Sequence, residues 1–80
     1  MNTNRSVSPG TTAPVVYGLL AEQSGVKLPL QVCRSAAGFY LGTMEESGMP
    51  YSRESIEYFP TQDAAVTALN SGHWTQKPNP

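Results

Sequence analysis

Few side chains in this sequence could do covalent chemistry. Cys33 and His73 are the single cysteine and the single histidine. A Cys–His nucleophilic pair needs the two in contact and a third group to orient the imidazole, and no third member is evident. Cys33 therefore reads as a small hydrophobe on a strand, and His73 as a surface residue beyond a helix. One Cys and one His, without CxxC or HxxxH spacing, make no zinc site, so no metal is expected. The carboxylates come as Glu45 with Glu46 and as Glu54 with Glu57. Glycoside chemistry needs two of them facing into a cleft, and a small sheet domain has little room for one. They read as a solvated loop and an exposed strand face. Neither GxGxxG nor GK[ST] occurs, so no phosphate loop and no cofactor are expected. The chain reads as non-enzymatic.

The most distinctive polar cluster is Ser52-Arg53-Glu54-Ser55. One reading is local: the hydroxyls satisfy loop N–H groups and Arg53 pairs with a nearby Glu. The other is a recognition patch in which Arg53 is flanked by Tyr51, Tyr58 and Tyr40, since Arg among aromatics is the composition of an interface centre. Tyr40, Tyr51, Arg53 and Tyr58 are accordingly the candidate partner-binding residues.

These residues need a scaffold. Leu28, Leu30 and Val32 alternate with Pro29, Gln31 and Cys33, predicting a strand over about 28–34. Ala36-Ala37-Gly38 makes a short three-residue hairpin connection. Residues 39–44 form the return strand, with Phe39, Leu41 and Thr43 on one side and Tyr40 and Met44 on the other. Residues 45–52 hold Gly48 and Pro50 and read as a loop, and 54–59 as the third strand. Thr61 caps a helix over about 62–70, with Asp63 at the positive end of its dipole, Ala65, Ala68 and Leu69 on one stripe, and Gly72 as the left-handed stop. Trp74 is expected to fold back over the helix end or the sheet. The fold class is α+β, a three-stranded antiparallel sheet packed against one C-terminal helix.

Residues 13–23 are ambiguous. Thr12 as N-cap, Pro14 in the first turn and Gly25 past the end favour a helix, whereas the apolar run from Val15 suits an extra strand and Gly18 weakens the helix. Whichever forms decides whether the sheet's outer face is free. Residues 1–12 are polar and expected to be disordered, 13–76 form one small domain with its core over 28–75, and 77–80 form a disordered tail.

Composition limits the function. Charged residues are only 14% and the net charge is −1. From Leu28 to Gln76 the cations are Arg34 and Arg53, against Glu45, Glu46, Glu54, Glu57 and Asp63, leaving −3. Such a surface repels a phosphate backbone unless both arginines share a face. One cysteine allows no internal disulfide, and neither a signal peptide nor a membrane-spanning run is visible, so a cytoplasmic protein away from membranes is expected.

The string Gly38-Phe-Tyr-Leu-Gly-Thr43, Ser52-Arg-Glu-Ser55, Glu57-Tyr-Phe59, Thr61, Ala64-Ala65, Ala68-Leu69, Gly72 and Trp74-Thr-Gln76 resembles a group of small uncharacterised bacterial proteins of plasmids, prophages and genomic islands. That resemblance implies an accessory protein of a mobile element and supplies no site. A looser likeness, in strand order and in the aromatic–Thr–Ala-rich junction, is to the arm-binding domains of phage integrases and the hybrid-binding domain of some ribonucleases H. It implies nucleic-acid contact through the sheet, by Arg34 and Arg53 in this chain. The expected function is an interaction module that binds another protein or itself, as a homodimer, through the exposed sheet face; nucleic-acid binding is the alternative.

Overall fold

The computed structural model describes residues 15–80. Thr12, Pro14 and the expected disorder of 1–12 lie outside them. Five elements follow in order: α1 (Leu19–Gln23), β1 (Gln31–Ser35), β2 (Gly38–Met44), β3 (Pro50–Arg53) and α2 (Gln62–Ser71). The sheet is antiparallel in the order β1-β2-β3, giving the expected α+β architecture with one helix more than the minimum.

The junction into α2 forms as its residues dictate. The Thr61 hydroxyl accepts the Ala64 N–H at 3.1 Å, Asp63 lies in the first turn, and Gly72 closes the helix at φ 77°, a backbone that side-chain-bearing residues adopt at a cost. Small Ala65 and Ala68 bring the helix onto Leu30 and Leu41, with Val32, Phe39, Phe59, Leu69 and Trp74 packed around them. Trp74 thus folds back onto the core.

Three boundaries differ from the sequence reading. First, β1 starts at Gln31, because Leu28–Leu30 turns to another neighbour: Gly18 N–H donates to Leu28 O at 3.0 Å and Leu30 N–H to Val16 O at 2.7 Å. Tyr17 bridges Pro29 there, so the described part of the ambiguous 13–23 segment is extended over 15–18 and helical from Leu19. Second, Ser35 pairs with Gly38, leaving only Ala36-Ala37 as the hairpin loop.

Third, the third strand occupies 50–53, beginning inside the 45–52 stretch read as a loop, rather than 54–59. Glu45 N–H bonds Met49 O at 2.8 Å, which closes a tight turn. Pro50 takes the strand's first position, where its missing N–H is harmless. One extra residue sits in β3 where the register shifts opposite Thr43 and Met44, a bulge that hides the strand's alternation. Beyond Arg53 the chain still follows β2 but irregularly. Glu54 and Ser55 N–H both donate to Leu41 O, at 2.8 and 3.0 Å, and the Ser55 hydroxyl accepts Leu41 N–H at 3.0 Å where a strand carbonyl would otherwise stand. Phe59 then pairs with Phe39. Ile56, expected on a strand face, is exposed.

Register and alternation divide the sheet. Val32, Arg34, Phe39, Leu41, Thr43 and Ser52 share one face. α2 covers its β1–β2 part, and α1 its β3 end, where Gly18 lies against Thr43. The opposite face carries Gln31, Cys33, Tyr40, Gly42 and Arg53, and no helix among the described residues packs on it.

Candidate functional site

On that helix-free face three of the four candidate residues meet. Tyr40 stands opposite Cys33 and Arg53 opposite Gly42. Gly42 has no side chain, and the Tyr40 ring fills the space: a Cβ at position 42 would come within 2.9 Å of Tyr40 Cε2. Tyr58 packs edge-on against Tyr40, with ring centroids 6.0 Å apart and planes at 76°, the arrangement that aromatic quadrupoles favour. The Arg53 guanidinium lies 4.6 Å from the Tyr58 ring centroid and donates to the Tyr58 hydroxyl.

Tyr40 presents almost no surface. It points away from α2 as expected, yet it is only 6% exposed, because Tyr58 and Arg53 lie over it, whereas Tyr58 is 41% exposed. Burial, and after it the neighbouring Cys33 thiol, hold the Tyr40 phenol above its ordinary range. Burial likewise pushes the Cys33 thiol up, which keeps it neutral. The stack is a layer of rigid aromatic surface topped by a cation. The Arg53 Nε is buried without a partner among the described residues. Tyr51 stands apart from this layer, its hydroxyl 2.6 Å from the Ser24 hydroxyl.

His73 sits exposed beyond α2, on the other side of the sheet from the Cys33 side chain. Arg34 also faces the α2 side, 5.6 Å from the Phe39 ring centroid. The two core arginines therefore lie on opposite faces.

The residue that sequence reasoning placed worst is Glu54. It was expected on an exposed strand face and is fully buried. Its Oε1 accepts Leu20 N–H at 2.9 Å and Gln76 Nε2 at 2.7 Å. Its Oε2 accepts Ala21 N–H at 3.2 Å and the Ser52 hydroxyl at 2.6 Å. The Ser52 hydroxyl in turn lies 2.6 Å from that of Thr43. Burial raises the carboxyl's pKa, but the four donors together outweigh it, and Glu54 sits below the usual carboxylate range. Gly18 makes the room: a Cβ there would come within 2.7 Å of Glu54 Oε2 and 2.5 Å of Thr43 Cγ2. Glu57 is half-buried; burial raises its carboxyl's pKa, but hydrogen bonds from the Thr75 N–H at 2.9 Å, the Thr75 side chain and its own backbone together outweigh it and lower the pKa.

Lys77, assigned to a disordered tail, is tied down as well, its N–H donating to Glu54 O at 2.7 Å. A sequence signal for this network existed in the i, i+2 spacing of Ser52 and Glu54, which puts both on the face of Thr43. No signal linked Glu54 to Leu20, a contact spanning more than thirty positions.

The chain matches no family model, no curated protein and no solved structure. Among the described residues no helix is long and apolar enough to cross a membrane, and no group of three metal-ligating side chains forms.

Proposed function

We propose that this protein is a non-enzymatic interaction module, an accessory protein of a mobile element, that binds another protein through the helix-free sheet face. Tyr58 and Arg53 are the contact residues, and Tyr40 is the rigid support beneath them. The carrying observation is the Arg53–Tyr58–Tyr40 stack on a face that neither helix covers. Arginine and tyrosine fixed in place before binding lose little conformational freedom when a partner arrives, which is why they dominate interface centres. The mobile-element assignment rests on the sequence resemblance alone.

Protein is favoured over nucleic acid as the partner because Arg34 and Arg53 do not share a face, and the acidic balance of the core opposes a phosphate backbone. The test is a comparative capture from native host lysate on immobilised wild-type and Tyr58→Ala/Arg53→Ala protein. A band retained by the first and lost on the second supports the reading. Identical bands, or none, would sink it.

A further inference from the structure

Two separate centres hold this domain together. The hydrophobic one is Leu30, Leu41, Ala65 and Ala68, with Trp74 among the residues packed around them. The other is the Glu54 carboxylate. Leu20 and Ala21 of α1 are buried but stand outside the hydrophobic cluster. α1 packs on β3, whereas α2 packs on β1 and β2.

The C-terminal segment reaches the same carboxylate. Gln76 Nε2 donates to Glu54 Oε1 at 2.7 Å, the oxygen that also accepts Leu20 N–H. Lys77 N–H donates to Glu54 O at 2.7 Å, and Ile56 N–H to Thr75 O at 2.8 Å. Between α1 and this segment runs a cleft of about 280 Å³ whose walls include Leu20, Ser24, Lys77 and Pro80. The seam between them is therefore open, and the carboxylate is the group that both touch.

Each set of donors keeps water from the carboxylate on behalf of the other. With α1 in place, the Gln76 bond forms in a buried site, where a hydrogen bond to a charge is strong. With α1 gone, water competes for the same oxygen. The converse holds for the Leu20 and Ala21 bonds when Gln76 leaves.

We infer that α1 and residues 76–77 open and close together about Glu54, as a unit separate from the core of sheet and α2. The opening is sub-global and leaves the hydrophobic centre intact. In the closed state the C-terminal segment also pins the outer side of residues 54–57, through Glu54 O, Ile56 N–H and the Glu57 carboxylate. That stretch joins Arg53 to Tyr58, so closure fixes the spacing of those two residues. The consequence for binding rests on the Tyr58-face reading; the opening does not.

Amide hydrogen exchange followed by NMR on the full chain tests it. The Leu20, Ala21 and Lys77 amides are expected to share one opening constant. They should exchange faster than Phe39 in β2 and Leu69 in α2. Gln76→Ala is expected to speed exchange at Leu20 and Ala21 about tenfold, within the usual range of coupling between sites. Phe39 and Leu69 should be unchanged. Leu20→Ala approaches from the other side, and by reciprocity it is expected to speed Lys77 by a similar factor. Separate opening constants, no effect of Gln76→Ala on α1, or equal acceleration throughout the chain overturns the inference. The measurement uses the protein without a partner, so it fails independently of the capture assay.

Discussion

The carboxylate of Glu54 caps the helix that begins at Leu19, its Oε1 accepting the Leu20 N–H at 2.9 Å. Gly18, the residue at the helix's N-cap, makes no side-chain hydrogen bond of its own, so a residue distant in sequence supplies what Ser, Thr or Asp usually supplies locally. α1 is five residues long, too short to be stable on local propensity. Its existence depends on Glu54.

Glu54→Ala is therefore expected to cost about 3 kcal/mol, because it leaves buried N–H groups of Leu20 and Ala21 without acceptors. Glu54→Gln keeps one acceptor oxygen and is expected to cost about half as much. Urea unfolding followed by circular dichroism gives both values. A loss under about 0.5 kcal/mol for the alanine variant, the ordinary range for surface changes, would contradict the capping role.

Stability is also expected to fall in acid. Glu54 and Glu57 both have folded-state pKa values below the usual range, so the unfolded chain takes up protons first as pH drops. The contribution is complete above the ordinary glutamate value of about 4.3 and is lost as pH falls through the lowered folded values. Urea midpoints measured from neutral pH into acid should decline more steeply below that value in wild type than in Glu54→Gln. Parallel curves would show that Glu54 is not the titrating group.

Gly18→Ala tests the close approach at the network. The added methyl would stand 2.5 Å from Thr43 Cγ2 and 2.7 Å from Glu54 Oε2, and overpacking of this kind costs about 1–3 kcal/mol. N-cap preference acts in the same direction, since Gly18 is extended at the N-cap, where Gly is favoured over Ala. A net drop in the thermal midpoint is expected. A rise would mean that the backbone yields easily here.

The two ends of α2 should behave more conventionally. Thr61→Ala removes the acceptor of Ala64 N–H and is expected to cost about 1 kcal/mol. Gly72→Ala places a Cβ at φ 77° and is expected to cost about 1 kcal/mol. Both follow from thermal melts, and the double variant should be additive to within about 0.5 kcal/mol, since the sites lie at opposite ends of the helix.

Tyr40 and Tyr58 should separate stability from binding. Tyr40 is buried and Tyr58 exposed, so Tyr40→Ala is expected to destabilise by about 3 kcal/mol. Tyr58→Ala should cost about 1 kcal/mol, its share of an aromatic pair, while abolishing partner capture. Urea unfolding beside the capture assay reads both effects. Equal destabilisation by the two would make Tyr58 a core residue.

The parts of this fold that were legible in the sequence are those specified by neighbours in the chain. Thr61, Asp63 and Gly72 define α2 through contacts a few residues long. The alternation around Leu30 and Val32 and around Phe39 to Thr43 identifies two strands and their core face. What escaped depends on partners far away. Pro50–Arg53 carries no apolar alternation because it is an edge strand with a bulge, its one face occupied by hydroxyls rather than hydrocarbon. Glu54 reads as a surface residue by type, and only the fold brings Leu20, Ala21 and Gln76 to it. Of the candidate site, the grouping of Arg53, Tyr58 and Tyr40 was anticipated, but the layering that buries Tyr40 beneath the other two was not.

The two donors that share Glu54 Oε1 come from opposite ends of the described chain, Leu20 N–H and the Gln76 side-chain amide. In topological terms the domain is nearly a ring, clasped at a single carboxylate. Neither end is free to fray alone, and a short linker across the clasp, with a new opening at the exposed Ala36-Ala37 turn, would give a circular permutant that keeps every strand pairing.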